Sequence, residues 1–94
     1  MNDAVRSFVM DAVRNRDGCC LIGLFLKDGC IQGYDVHHID TRGSGGEDTM
    51  ENMICVCRKH HNAAHARRIS KGALRAALNR FYKYEYSPDQ LEEG

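Results

Sequence analysis

The five histidines of this 94-residue chain form two clusters, His37-His38 and a group made up of His60, His61 and His65. His61 and His65 are four residues apart, so on a helix their side chains project from the same face. Two imidazoles at this spacing can share one divalent cation and leave positions open for a third ligand, water or phosphate. The same spacing also arises by accident on helices that face solvent. It therefore marks a candidate metal site that needs independent support.

The adjacent pair His37-His38 has a different chemical use. Neighbouring residues of a strand point to opposite faces, unless the strand ends there and lets both side chains turn toward one site. A metal ligand can then lie beside an imidazole that stays unligated. A free imidazole, with a pKa near about 6.5, can take a proton from water at neutral pH. A half-buried strand end with one histidine in water has the same sequence.

Several elements must position these residues. Apolar side chains at steps of three and four predict an amphipathic helix over Asp3–Arg16, with these residues facing inward: Val5, Phe8, Val9, Ala12 and Val13. The apolar segment 19–26, the turn signal Asp28-Gly29 and the segment 30–38 together predict a β-hairpin. The glycine-rich segment 41–47 predicts a loop.

The second half of the chain is more helical. Met53–Cys57 predicts a short strand and Arg58–Ala66 a helix. Ser70 is a capping residue for a further helix from Lys71 to about Tyr84, whose inward residues are Leu74, Ala77, Leu78 and Phe81. Ser87-Pro88 is typical of the start of a last, short helix. The element order predicts a single α+β domain over residues 1–94.

The composition is that of a globular protein, with 43% hydrophobic and 28% charged residues. No apolar run approaches the roughly 20 residues that a membrane span needs, and the first residues lack the apolar core of a secretory signal. The five cysteines form an odd set that is a poor disulfide framework. We therefore expect an intracellular protein with no membrane partner and with reduced or metal-bound thiols.

The net charge of zero conceals a segregated distribution. The segment 52–84 contains eight basic residues and no acidic one, whereas 85–94 contains four acidic residues and no basic one. A basic stretch of this kind suits contact with phosphates, and it is equally typical of a solvated helix face.

Four motifs occur in order between Asp35 and His65: D-V-H-H-I, G-S-G-G-E-D, E-N-M-I-C-V-C and R-K-H-H-N-A-A-H. Together they resemble the HNH endonuclease family, and especially its compact members from phages and mobile elements. The resemblance implies a ββα-metal finger as the core, residues 34–66, in which Tyr34–His38 and Met53–Cys57 are the strands and Arg58–Ala66 is the helix. An N-terminal helix in residues 1–17 and C-terminal helices in 70–94 would flank this core.

The resemblance also implies roles for individual residues. His38 would be the general base, and His37, His61 and His65 would bind a divalent ion, either magnesium, manganese, nickel or zinc. Asn52 would bridge the loop backbone and hold His38 in orientation, so the implied catalytic set is His38, Asn52 and His37. The family resemblance implies hydrolysis of DNA phosphodiester bonds, with duplex DNA as the partner, in a bacterial or phage-encoded cytoplasmic protein.

Basic residues near these motifs are candidates for nucleic-acid contacts: Arg42, Arg58, Lys59, Arg67 and Arg68. Arg42 is close enough in sequence to His38 to reach a phosphate at the site, although a solvated loop arginine is equally compatible. A protein this small has little surface for reading bases. High specificity would therefore need a homodimer or a larger protein partner.

A structural zinc is a second metal that the resemblance raises, because many HNH proteins hold one between two C-x2-C pairs. Here the second pair reads Cys57 to His60, an exchange that zinc accepts. The first is damaged, since Gly23 stands where the partner of Cys20 would be, and Cys30 would lie far from Cys20 in a regular hairpin. Either Cys20, Cys57, His60 and an unidentified fourth ligand bind zinc, or this zinc-binding knuckle, formed by the two pairs, has decayed and the flanking helices stabilise the finger. We favour the second.

The leading functional hypothesis is a metal-dependent DNA endonuclease or nickase. One alternative is a nucleic-acid-binding module that keeps the finger for docking and has no catalytic activity. Another is an RNA- or structure-specific nuclease, because phosphodiester chemistry does not itself distinguish the sugar.

Overall fold

The computed structural model describes residues 3–94. Residues 1 and 2, which belong to the predicted N-terminal segment, lie outside the described residues. Five helices, two strands and one 3-10 helix follow in this order: α1 (Asp3–Asp17), α2 (Leu21–Leu26), β1 (Asp35–His38), a 3-10 helix (Arg42–Ser44), β2 (Met53–Val56), α3 (Arg58–His65), α4 (Lys71–Tyr82) and α5 (Pro88–Glu92). The α+β class with a ββα core and flanking helices is therefore confirmed.

The two strands form an antiparallel pair in which His38 lies opposite Met53 and His37 lies opposite Ile54. Every residue of β2 is buried, because helices cover both faces of the pair. Met53 and Cys55 pack with Val36 and with α1, through Val13. The alternate residues of β2 face α2, α3 and α4, in a core formed by Cys20, Leu21, Ile22, Ile39, Ile54, Val56, Ala64, Leu74, Ala77 and Leu78.

The inward face predicted for α1 is only partly correct. Val13 is fully buried and Val9 packs against the same cluster, but Phe8 is 74% exposed and Val5 43% exposed. A 15-residue helix is about 22 Å long, whereas a four-residue strand spans about 13 Å. The short sheet can therefore cover only part of α1, and the predicted stripe extends beyond it.

The β-hairpin predicted for residues 19–38 is wrong. Leu21–Leu26 form α2, which ends at Lys27 in the left-handed conformation, and residues 3–34 contain no regular strand. A short apolar run does not distinguish a strand from a buried helix by its pattern, and here packing decides. Helix α2 buries Leu21 and Ile22 in the main core. Gly23 allows the close approach of the returning chain, because a Cβ there would lie 2.3 Å from the carbonyl oxygen of Cys30.

The remaining helices start where the sequence predicts. The side chain of Ser70 caps α4 by accepting a hydrogen bond from the N–H of Ala73, and Ser87 and Gln90 form a capping box at α5. Phe81, predicted to face inward, is 38% exposed. The last turn of α4 instead directs Tyr82 inward, where its hydroxyl donates to Asp17 Oδ1 over 2.6 Å.

Asp17 connects α1 to the sheet. Its side chain is fully buried, its Oδ2 accepts the N–H of Cys55 over 2.8 Å, and it pairs with Arg16. Arg16 in turn donates to the carbonyl oxygens of Met50 and Met53. These bonds satisfy backbone groups of β2 and of the turn before it, groups that a two-stranded sheet leaves unpaired.

The loop between the strands is closed by Asn52. Its amide nitrogen donates to the carbonyl oxygens of Asp40 and Glu47, and its amide oxygen accepts the N–H of Asp40 over 2.9 Å. Gly45 has φ of 86°, and a Cβ on Gly46 would lie 1.7 Å from the carbonyl oxygen of Asp40. Both positions therefore favour glycine, Gly45 for its positive φ and Gly46 for the close approach of Asp40. Among the helices of residues 3–94, none has the length and apolar character needed to cross a lipid bilayer.

We predict that Gly46→Ala destabilises the protein by about 1–3 kcal/mol, because the backbone of the loop must move to accept the methyl group. Gly43→Ala is the matched control in the same loop, since a Cβ there meets nothing within 4 Å. Chemical denaturation monitored by circular dichroism gives both free energies of unfolding. Equal stability of the two variants would contradict the close packing of Gly46 against Asp40.

Candidate active site

Three of the four predicted catalytic histidines come together between β1 and α3. The ring centroids are separated by 5.2 Å for His37 and His61, 4.9 Å for His37 and His65, and 4.7 Å for His61 and His65. One nitrogen from each ring lies within 4.8 Å of those of the other two. The i, i+4 spacing on α3 supplies two of these rings and the middle of β1 supplies the third.

His37 is the buried member of this group, with 4% of its surface exposed. Burial, and then the neighbouring His61 and His65, lower its pKa to about 4, so the ring is neutral at physiological pH. Its Nδ1 is buried and has no hydrogen-bond partner among the described residues. Three imidazoles, one with an orphaned buried nitrogen, form a donor set that fits a divalent transition metal.

His61 and His65 are more exposed and approach each other closely. Their Nε2 atoms lie 3.1 Å apart. His61 also contacts Asp35 through its other nitrogen, with 2.9 Å between Nδ1 and Oδ2 of the carboxylate. The hydrogen bond from His61, and then the adjacent Arg58, hold the pKa of Asp35 below its usual value although partial burial opposes this.

His38 lies on the opposite side of β1 from this group. Adjacent strand residues alternate between faces, so the side chains of His37 and His38 leave β1 in opposite directions. The Nε2 of His38 lies 2.5 Å from Oδ1 of Asp48, whose side chain is 7% exposed. The Nε of Arg6, from α1, donates to Oδ2 of the same carboxylate over 3.3 Å. His37, His61 and His65 thus form one group, and His38, the next residue of β1, lies beside a carboxylate.

Asp48 is a site residue that the sequence reasoning missed. The hydrogen bond from His38, and then the guanidinium of Arg6, lower the pKa of Asp48, so it is a carboxylate at neutral pH. An ionised carboxylate only accepts hydrogen bonds, so Nε2 of His38 donates and Nδ1 is the nitrogen that can take up a proton. Asp48 is the last residue of the G-S-G-G-E-D motif, and this motif is the sequence feature from which its place in the site could have been predicted.

Asn52 reaches His38 through the backbone. Its side chain bonds to loop residues 40 and 47, as described above, and its carbonyl oxygen accepts the N–H of Ile39 over 2.8 Å. Ile39 directly follows His38, so Asn52 fixes the chain at the end of β1.

A second cluster lies at the start of α3. Ligand atoms of Cys20, Cys30, Cys57 and His60 are all within 4.8 Å of one another. The Nδ1 of His60 lies 3.3 Å from the sulfur of Cys20 and 3.2 Å from that of Cys57, and its Nε2 contacts Asp28. The expectation that Cys30 lies far from Cys20 is wrong, because α2 replaces the hairpin and returns the chain toward Cys20.

The thiols of this cluster interact strongly. Burial disfavours a charge on Cys57, but hydrogen bonds from Cys30, from the N–H and side chain of His60 and from Cys20 lower its pKa to about 7. A thiolate at neutral pH is the form that ligates metals. Three thiols and one imidazole are a donor set that fits a tetrahedral zinc ion, so the residues favour the metal-binding interpretation of the damaged knuckle over its decay.

The five candidate nucleic-acid residues are all on the surface: Arg42, Arg58, Lys59, Arg67 and Arg68. Arg67 has φ of 59° in the turn after α3, where it lines a cleft together with His37, His65 and Lys71. One member of the basic stretch does not belong to this surface. Arg75 is 2% exposed and pairs with Asp40 and Glu93, so phosphates cannot reach it.

We predict that the stability of the metal-free protein depends on pH through His37. The folded-state pKa of about 4 is below the ordinary 6.5, so the contribution of His37 to stability is complete above pH 6.5 and is lost as the pH falls toward 4. The loss is on the order of 3 kcal/mol. Free energies of unfolding measured in chelator across this range should fall more steeply for wild type than for His37→Gln. Parallel curves would contradict the burial of a neutral ring.

A model of the HNH endonuclease family matches residues 19–67, just over half of the chain. The matched segment includes both ligand clusters and ends just after α3. Searches of curated proteins and of solved structures found no match. Because this match covers more than half of the chain, the chain belongs to the HNH endonuclease family.

Proposed function

We propose that this protein is a metal-dependent DNA endonuclease or nickase. The observation that carries the proposal is the meeting of His37, His61 and His65, whose nitrogens lie within 4.8 Å of one another beside a surface rich in arginine. Membership of a nuclease family supports the reaction type. Three protein ligands leave coordination positions free, as catalytic rather than structural metal sites do.

The proposed general base is His38, acting through Nδ1. Asp48 accepts a hydrogen bond from the opposite nitrogen, Nε2, so it holds the ring in one tautomer and stabilises the imidazolium that forms when water gives up its proton. Arg6 fixes the carboxylate from α1. This arrangement suits a scissile phosphate placed at the end of β1, between His38 on one side of the strand and His37 on the other.

A divalent cation held by His37, His61 and His65 would supply charge stabilisation for a non-bridging phosphate oxygen and for the departing 3′ oxygen. The low pKa of His37 keeps one ligand in its neutral, binding form. The expected products are a 5′-phosphate and a 3′-hydroxyl. Magnesium, manganese, nickel and zinc are the candidate ions.

We propose duplex DNA as the substrate, bound through exposed basic residues of which Arg67 lines the cleft beside His37 and His65: Arg42, Arg58, Lys59, Arg67 and Arg68. Such contacts to phosphates are independent of sequence. Selection of a particular target site would require a second copy or another protein, because the chain has little further surface for reading bases.

We predict that wild-type protein nicks or linearises supercoiled plasmid with Mg²⁺, Mn²⁺ or Ni²⁺ and loses the activity in chelator. His38→Ala should lower the rate about 100-fold or more, because the proposed general base is removed. A matched His38→Gln variant keeps a polar side chain, and thermal denaturation checks the fold of both.

Two outcomes would contradict the proposal. Full activity of folded His38→Ala would remove the proposed base. DNA binding on a gel without cleavage under any of the three metals would indicate a non-catalytic binding module. Parallel digests of single-stranded DNA and RNA identify the substrate.

We further propose that Cys20, Cys30, Cys57 and His60 hold a structural zinc ion. Cys57 is the N-cap of α3, so this ion would fix the start of the helix that carries His61 and His65. A closed set of four protein ligands leaves no position for substrate, which is typical of a structural site. Thiolates of this kind persist in a reducing compartment, in agreement with a cytoplasmic protein.

We predict one zinc ion per chain in protein purified with its cysteines reduced, measured by elemental analysis. Cys30→Ser should lose this zinc and melt at a lower temperature, because the fourth ligand is removed. Cys19→Ser is the matched control, since Cys19 lies outside the ligand cluster. Retention of zinc in Cys30→Ser would exclude Cys30 from the ligand set.

A further inference from the structure

Asp35 is the first residue of β1 and lies two positions before His37, so its side chain is on the same face of the strand. Its carboxylate is 19% exposed. Oδ2 contacts two groups of α3, the Nδ1 of His61 over 2.9 Å and the Nε of Arg58 over 2.8 Å. The carboxylate therefore joins the strand that carries one candidate metal ligand to the helix that carries the other two.

The contact with Asp35 determines which nitrogen of His61 can bind a metal. A carboxylate accepts hydrogen bonds and a neutral imidazole has a single proton, so that proton lies on Nδ1 and the lone pair lies on Nε2. Nε2 is the atom that lies 3.1 Å from Nε2 of His65. The bond to Asp35 thus points the binding nitrogen of His61 toward the group of three rings.

The carboxylate is itself held in place. The guanidinium of Arg58 approaches Oδ2 through Nε, and its Nη2 lies 3.4 Å from Oδ1. The arginine side chain is 78% exposed, so its contribution to stability is small. Its effect is on the orientation of Asp35, because the bidentate approach restricts rotation of the carboxylate.

We propose that Asp35 is the positioning residue for His61, holding the ring so that Nε2 faces the catalytic cation and thereby setting the affinity of the site for metal. The inference rests on the proposed metal-dependent function and assigns to Asp35 a role that neither the motif nor the family match supplies. Carboxylates that orient a ligating histidine typically change metal affinity about 10- to 100-fold when removed.

The positioning role of Asp35 can be tested without any metal by determining the tautomer of His61. In metal-free protein at a pH well above the ordinary histidine pKa of about 6.5, ¹⁵N-resolved NMR of the imidazoles should show His61 protonated at Nδ1. His61→Gln identifies the signal by its loss. A ring protonated at Nε2 in wild type overturns the inference.

Metal affinity is the second test, with Ni²⁺ as the probe titrated into protein whose cysteine site already contains zinc. Asp35→Leu should weaken Ni²⁺ binding about 10- to 100-fold, and Asp35→Asn, which keeps a carbonyl acceptor, should weaken it less. The same two substitutions at Asp11, an exposed residue of α1 that also pairs with an arginine, are the matched controls and should leave the affinity unchanged.

The two possible failures are distinguishable. If Asp35→Leu binds Ni²⁺ as tightly as wild type while His61→Gln abolishes binding, the positioning role is wrong and the metal site stands. If His61→Gln has no effect either, the proposed metal site itself is wrong. Asp35→Asn and the NMR measurement keep the test decisive if the leucine variant does not fold.

Discussion

The placement of α3 is the constraint on which the site depends. An eight-residue helix is not stable alone in water, yet this one supplies ligand atoms to both clusters. His60 and His61 are adjacent, so their rings leave the helix in directions about 100° apart, one toward the cysteines and one toward β1. A rotation of α3 about its axis would disturb both clusters at once. Its burial at Ala64 and the contacts at each histidine therefore have to fix its angle as well as its position.

Carboxylates from three different segments face the histidines. Asp28 contacts His60, Asp35 contacts His61 and Asp48 contacts His38. Each holds one nitrogen of its partner and leaves the other available for a ligand or a proton. Among the described histidines with a candidate catalytic role, His37 is the one whose buried nitrogen lacks such a partner. Burial, and then the neighbouring His61 and His65, lower the pKa of that ring and keep it neutral.

The candidate site was predictable where it depends on local spacing. The i, i+4 pair on α3, the strand before it and the glycines of the loop follow from helical period, alternation and backbone sterics, and the structure has them within one or two residues of the predicted bounds. Strand alternation also accounts for the different surroundings of His37 and His38, the first beside α3 and the second beside Asp48. Asp48 was missed because its role comes from a contact ten residues away in sequence with His38.

The errors elsewhere arise from tertiary packing. The segment 19–26 has no period that separates strand from helix, and its helical state follows from burial of Leu21 and Ile22 against β2 and α4. The exposure of Phe8 follows from the shortness of the sheet, which no pattern within α1 reports. Cys30 could be assigned to the cysteine cluster only after α2 was known.

The absence of a side chain at Gly23 has a consequence for how this knuckle can be built. A cysteine at that position would complete the C-x2-C pair that begins at Cys20, but its Cβ would collide with the carbonyl oxygen of Cys30. The chain that brings Cys30 to the cluster thus occupies the space that a thiol three residues after Cys20 would need. The two ways of supplying the fourth ligand exclude each other in this backbone. Replacing Gly23 by cysteine to form the usual C-x2-C pair would require residues 27–33 to take another path.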